Sequence, residues 1–194
     1  MKLLASPTSP YARKLRVLAL ELALPMTIID TAPMDDGADL LAANPLGKVP
    51  ALVLDDGTAL VDSRVIAGYL LALVPGNALL AAHGPAHWAG LTTEALADGI
   101  LDAAINLRFN AGQGVTGGIW VERQYRAIDR ALAALAQRAG TGDPDYADLC
   151  IVIAGEYLDL RFPGSDWRRD QPVLAVLHQR LADRPSLVVT RPPA

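Results

Sequence analysis

Residues 2–30 read KLLASPTSPYARKLRVLALELALPMTIID, and the order of elements in this stretch decides the fold. Lys2–Ala5 is a short apolar segment, and Ser6-Pro7-Thr8-Ser9-Pro10 after it has the composition of a loop, so a strand is predicted there. Leu15, Leu18, Ala19 and Leu22 then recur at helical spacing, with Arg13, Lys14, Arg16 and Glu21 among the intervening positions. That pattern predicts an amphipathic helix. Ser9 and Pro10 mark its start, the first as N-cap and the second as the first helical residue. Pro25 ends the helix, and Met26–Asp30 predicts a second strand. Strand, helix and strand in so short a span predict a parallel pair joined by a crossover helix.

Downstream, a polar loop holds a short helical piece at Asp39–Ala43, followed by Asn44-Pro45-Leu46-Gly47-Lys48-Val49-Pro50. Ala51–Leu54 and Thr58–Val61 flank Asp55-Asp56-Gly57, a tight-turn sequence, and predict a β-hairpin. Asp62 and Ser63 open a helix whose apolar face is Val65, Ile66, Tyr69, Leu70 and Leu73, stopped by Pro75-Gly76-Asn77. From His83 onward only helical patterns follow, at 87–111, 119–138, 146–160 and 172–182. The predicted organisation is an α/β domain over 1–76, a linker over 77–85 and an all-helical domain over 86–194. There is no internal repeat, low-complexity tract or charge block.

Composition removes several function classes. Of 194 residues, 52% are hydrophobic and 20% charged, which excludes a disordered chain. The formal net charge of −4 argues against a nucleic-acid-binding surface. One cysteine forms no disulfide framework or cysteine-rich metal site, and three scattered histidines make no metal-site argument, so no metal is expected. The apolar stretch Leu15–Leu24 is interrupted by Arg16 and Glu21, so no membrane span is predicted. The apolar run after Lys2 is only Leu3–Ala5 before Pro7 and Pro10, so no secretory leader is read. The expected location is the cytoplasm.

Several small constellations each permit two readings. Pro50 cannot donate into a ladder, so it belongs at the first position of its strand, behind either a cis or a trans peptide bond. Asp62-Ser63 at a helix start is either a plain cap or, with exposed N–H groups and a hydroxyl at a positive helix end, a carboxylate or phosphate site. Ser9 permits the same two readings. Gly112-Gln113-Gly114-Val115-Thr116-Gly117 matches a dinucleotide-binding motif by letter, but a helix precedes it where a strand is required, so it reads as a helix–helix connection with left-handed glycines. Asp145 and Asp148 before Leu149–Ala154 form a capping-box-like signal. Cys150 reads as a buried thiol. His83, His87 and His178 read as surface or packing residues.

Taken in order, Ser9-Pro10-Tyr11-Ala12-Arg13-Lys14, Asn44–Pro50, Asp62-Ser63 and Asp145-Tyr146-Ala147-Asp148, with Arg184-Pro185-Ser186 near the end, resemble the cytosolic glutathione S-transferases, and bacterial serine-type members in particular. The resemblance covers almost the whole chain. It implies a thioredoxin-like N-terminal domain followed by an all-α domain, with glutathione as substrate. It makes Pro50 the cis-proline and sets the Val49 backbone against the cysteinyl part of glutathione. It places Ser63 on the γ-glutamyl carboxylate, Asp62 on the γ-glutamyl amine and Lys48 within reach of the glycyl carboxylate. Asp98 resembles an acid that in some classes reaches across a dimer toward glutathione.

The chemistry implied is thiol activation. A free thiol has a pKa of roughly 8.5, so little is thiolate at neutral pH. A hydroxyl donor at a helix N-terminus favours the thiolate. Ser9 stands where the family carries its active residue, and a serine there supports conjugation, because it cannot form mixed disulfides. Ser6, Thr8 and Tyr11 also offer hydroxyls, and Tyr11 is either a rival donor or a lining residue of the electrophile pocket, with Ala12 and residues near Asn106–Asn110. The expected function is a transferase that attacks a small hydrophobic electrophile with glutathione. The alternative is a non-catalytic binding or regulatory protein on the same fold, and the lack of a cysteine near the first helix disfavours a redox regulator. A homodimer is expected, the N-terminal domain of one subunit on the long helices of the other.

Overall fold

The computed structural model describes residues 1–193. Two compact units emerge. One comprises residues 1–77 together with the C-terminal segment from Asp183, and the other Ala78–Ala182.

In the first unit, β1 (Lys2–Ala5), α1 (Pro10–Glu21) and β2 (Thr27–Asp30) form the expected crossover, β1 and β2 pairing in parallel. After a short 3-10 turn at Pro33–Asp35 come α2 (Ala38–Ala43), β3 (Ala51–Val53), β4 (Ala59–Val61) and α3 (Ser63–Ala72). The sheet order is β2-β1-β3-β4, with β3 antiparallel to both neighbours. This is a thioredoxin-like mixed sheet, with α1 packed on α3 and α2 against β3 and β4. Leu3, Leu15, Leu18, Leu52, Ile66 and Leu70 form the core of the unit. All four residues of the edge strand β2 are exposed.

Strand register fixes where the loops go. Leu4 of β1 stands opposite Ala51, the first residue of β3, and Ala51 stands opposite Val61, the last residue of β4. One end of the sheet therefore receives three connections: residues 6–9 leaving β1, residues 44–50 entering β3, and Asp62-Ser63 leaving β4.

The second unit is helical: α4 (Gly84–Gly112), α5 (Ile119–Ala136), α6 (Tyr146–Arg161), α7 (Trp167–Asp170) and α8 (Pro172–Leu181). Helix α4 begins three residues before the pattern-based start at 87, because Pro85 suits a first helical turn. Helix α6 is buried on nearly every side, as its apolar run requires, and packs against α4 and α8. Asp145 caps it, accepting the Asp148 N–H at 2.9 Å. Trp167 lies so close to Gly155 that a Cβ there would sit 2.9 Å from its ring, so α6 uses glycine where α7 docks.

The glycine-rich stretch after α4 is a helix–helix connection. Gly114, with φ of 79°, is left-handed within the motif, and Gly118, with φ of 101°, just beyond it. The last helix, α9 (Pro185–Val189), is too short to show a period in the sequence and joins the first unit, against α1. No helix among the described residues is long and apolar enough to cross a membrane.

Candidate functional site

Three short segments meet at the loop-bearing end of the sheet. The first ends in Ser9, the N-cap of α1. Its Oγ accepts the Ala12 N–H at 3.2 Å, and its carbonyl accepts the Arg13 N–H at 2.9 Å. Pro10 occupies the first helical position. Tyr11 is half-buried in the first turn of α1.

The second segment is the loop into β3. The buried side chain of Asn44 organises it: Nδ2 donates to the Lys48 carbonyl at 2.7 Å, and Oδ1 accepts the Leu46 N–H at 3.1 Å. The Gly47 N–H closes a turn onto the Asn44 carbonyl at 2.9 Å, and Gly47 has a left-handed φ of 62°. A side chain there would be strained and would press on Asp36 Oδ1 at 3.3 Å. Lys48 is exposed and Val49 half-buried, and the Val49–Pro50 peptide bond is cis. Pro50 supplies no N–H, so pairing with β1 begins at Ala51.

The third segment opens α3. Asp62 is the N-cap and accepts the Arg64 N–H at 2.9 Å, while the Arg64 guanidinium lies 3.5 Å from the same oxygen. Burial pushes the Asp62 carboxyl up, but the Arg64 N–H and side chain and the Lys14 charge outweigh it and hold the group below its ordinary value. Asp62 has a φ of 70°, a conformation that non-glycine residues rarely take and that concentrates at ligand-binding positions. Ser63, the first residue of the helix proper, is 7% exposed.

This end of the sheet thus carries two helix N-termini with the Ser9 and Ser63 hydroxyls, the Asp62 carboxylate and a proline-framed backbone segment. Helix N-termini favour anions. The arrangement suits a ligand that carries a carboxylate, an amine and a strand-like backbone.

Ser9, Tyr11, Lys48, Val49, Asp62 and Ser63 all fall in the first unit. Asp98 lies in α4, 5% exposed, where its charge helps to raise the Tyr146 phenol well above its ordinary value, after burial, Cys150 and Glu94. Asn106 is exposed on α4, and its amide is spent on its own helix, donating to the Asp102 carbonyl at 2.9 Å. Sequence reading did not single out Asn44 as the loop organiser, although an Asn-Pro-Leu-Gly run is a recognisable side-chain-closed turn. It also missed the near-complete burial of Lys14 at 2% exposure, since a lysine in an amphipathic pattern reads as a solvent-facing residue. Among the described residues, no group of three or more His, Cys, Asp and Glu is placed to hold a metal ion.

Residues 3–78 match the family model described as glutathione S-transferase, N-terminal domain. Over its full length the chain is 34% identical to the uncharacterized GST-like protein YibF of Escherichia coli K12, covering 99% of that protein. Among solved structures, a glutathione S-transferase from Methylobacillus flagellatus KT with GSH bound superposes with a TM-score of 0.92, at 34% identity and 99% coverage of both chains. A glutathione transferase family member from Pseudomonas fluorescens Pf-5 with bound glutathione superposes with a TM-score of 0.87, at 38% identity, over 100% of this chain and 99% of that one. By sequence along its whole length, and by a fold that carries these loops at one end of the sheet, the chain belongs to the glutathione S-transferase family.

Proposed function

We propose that this protein binds glutathione and activates its thiol for attack on a small hydrophobic electrophile. The observation that carries this reading is the Leu4–Ala51–Val61 register. It brings the Ser9, Val49–Pro50 and Asp62-Ser63 segments to one end of one sheet. The glutathione-bound relatives support the choice of ligand.

Each part of the tripeptide then has a partner. The Ser63 N–H and hydroxyl, at the positive end of α3, hold the γ-glutamyl carboxylate. Asp62, kept ionised by Arg64, faces the γ-glutamyl amine. The Val49 backbone pairs with the cysteinyl unit in an antiparallel manner, and Lys48 reaches the glycyl carboxylate. The sulfur lies at the N-terminus of α1, where the Ser9 O–H donates to it. That hydrogen bond is stronger to a thiolate than to a thiol, so it lowers the thiol pKa. The thiol proton passes to solvent, and the thiolate electron pair forms the new carbon–sulfur bond while the leaving group departs with the electron pair of the carbon bond that breaks. Tyr11 lines the side from which the electrophile approaches, and the molecule is a homodimer.

Retention on immobilised glutathione and calorimetric titration test the binding half. Conjugation of a chloronitroarene tests the chemistry. Absence of measurable glutathione binding by the folded protein would overturn the reading, while binding without conjugation of any aryl, alkyl or epoxide electrophile would leave a binding protein.

A further inference from the structure

The C-terminal segment grips α1 at two places. At the far end, Arg184 makes a two-point ion pair with Glu21, the last residue of α1, at 2.7 and 2.5 Å, and the Ser186 hydroxyl donates to the same carboxylate. At the near end, Arg13 Nη2 donates to the Leu187 carbonyl at 3.1 Å and Arg13 Nε to Thr190 Oγ1 at 3.4 Å. Thr190 in turn donates to the Ser186 carbonyl at 2.7 Å. Residues 184–190 therefore run back along α1 from its C-terminus toward its N-terminus, over roughly 12 Å at 1.5 Å per residue.

The near anchor is heavily buried. Arg13 is 3% exposed, Leu187 0% and Thr190 1%. An arginine with this burial must have its donors matched, or it costs far more than a surface arginine. Arg13 also lies one turn from Ser9, and its own N–H donates to the Ser9 carbonyl. Its guanidinium is thus the side chain through which the C-terminal segment holds the first turn of the helix that presents Ser9. The sequence separation is 177 residues for the Arg13–Thr190 contact.

We propose that Arg13 is a positioning residue for Ser9, and that the segment from Arg184 to Thr190 is a splint that fixes α1 through it. The proposal rests on the reading of Ser9 as the hydroxyl that stabilises the glutathione thiolate. Orientation matters there because a hydrogen bond weakens steeply with angle. A first turn that rocks without its splint still caps and still binds the tripeptide through Ser63 and Val49, but it holds the thiolate less well.

The test reads the thiol directly, without an electrophile. Glutathione is bound to wild type, Ser9→Ala, Arg13→Met, Arg13→Lys, Thr190→Val and Asp145→Ala proteins. The ionisation of the bound thiol is followed by ultraviolet thiolate absorbance against pH, and affinity by calorimetry. Arg13→Met is expected to reduce the thiolate-to-thiol ratio at a given pH by about three- to tenfold, with affinity changed less than about threefold. Arg13→Lys recovers part of the loss, and Thr190→Val, which keeps the Leu187 contact, shows a smaller shift in the same direction. Asp145→Ala destabilises the other unit and serves as the control for stability alone. An unchanged thiol titration in Thr190→Val and in whichever Arg13 variants fold overturns the proposal, as does an equal shift in Asp145→Ala. Wild-type protein that binds no glutathione overturns the functional reading itself and this inference with it, whereas binding with an unshifted Ser9→Ala titration removes only the role of Ser9 and its support by Arg13.

Discussion

The Ser9 hydroxyl accepts the backbone N–H of Ala12 at 3.2 Å. A serine hydroxyl has one donor and two acceptor lone pairs, so capping α1 uses an acceptor site and leaves the O–H proton to donate elsewhere. Helix cap and thiolate donor are therefore compatible roles for one side chain, and the two readings that the sequence permits for Ser9 do not compete.

Ser9→Ala should show both roles. Loss of the cap should cost about 0.5–2 kcal/mol of stability, visible as a lower Tm. Loss of the donor should reduce turnover more than glutathione affinity and move the pH–rate profile to higher pH, with activity partly recovered in alkaline buffer. Ser9→Cys should gain disulfide-exchange activity at the expense of conjugation. Tyr11→Phe is the deciding comparison: a shifted profile there, with Ser9→Ala unshifted, makes Tyr11 the donor.

Ser63→Ala removes one hydrogen bond to a carboxylate, worth roughly 1.5–3 kcal/mol. Glutathione affinity should fall about ten- to a hundredfold, because the backbone N–H at the start of α3 remains. Calorimetry at neutral pH measures it, and wild-type affinity would remove Ser63 from the site.

Much of this architecture is legible in the sequence because its signals are local. Ser9-Pro10 and Asp145 announce helix starts, and both side chains cap as read. The strands β1 to β4 follow from short apolar runs between turn residues. What escapes is what depends on distant partners. The five residues of α9 are fewer than two turns, so no period reveals them, and the contacts of Arg13 and Glu21 lie more than 160 residues away. The isomer at Pro50 is open for a different reason: cis and trans differ by only about 0.5–1 kcal/mol before proline, so tertiary surroundings choose. Asn44 is the exception, a local turn-closing signal whose importance shows only once its side chain is seen to be buried.

Asn44 should therefore matter twice. Asn44→Ala leaves the Lys48 carbonyl and the Leu46 N–H without their partner, at a cost of about 1–3 kcal/mol. Glutathione affinity should also fall, since the backbone on either side of Val49 loses its support. Asn44→Asp keeps the Oδ1 acceptor for Leu46 but sets a buried carboxylate oxygen against the Lys48 carbonyl, so at neutral pH it should lower Tm and affinity at least as much as alanine. An affinity unchanged in a destabilised Asn44→Ala protein would separate the loop from the ligand.

Asp145→Ala should lower stability by about 0.5–2 kcal/mol, the usual cost of an N-cap, through the lost bond to the Asp148 N–H. Glutathione affinity of the folded protein should stay at the wild-type level, because α6 and the proposed ligand segments belong to different units. A coincident loss of affinity in thermal and calorimetric measurements would contradict that separation.

Acid should weaken the hold of the C-terminal segment on the end of α1. The hydrogen bond from Arg184 is the largest influence on the Glu21 carboxyl, and with Ser186 and the arginine charge it outweighs burial and holds the group below its ordinary value of 4.5. The unfolded chain therefore binds a proton at Glu21 more readily than the folded one. By linkage, stability rises with pH wherever the unfolded state holds more protons. The contribution of Glu21 is complete above its unfolded value and is lost as pH falls below 4.5 toward the depressed folded value. Arg184→Met removes the largest downward influence, and burial then outweighs the Ser186 hydrogen bond, so Glu21 in the folded variant no longer sits below its ordinary value. The variant should be less stable at neutral pH, and the gap between it and wild type should narrow as the solution is acidified through that window. Denaturant titrations at neutral pH and through the acid range measure the gap directly. A gap that stays constant across the window would show that Arg184 stabilises α1 by packing alone, without the charge on Glu21.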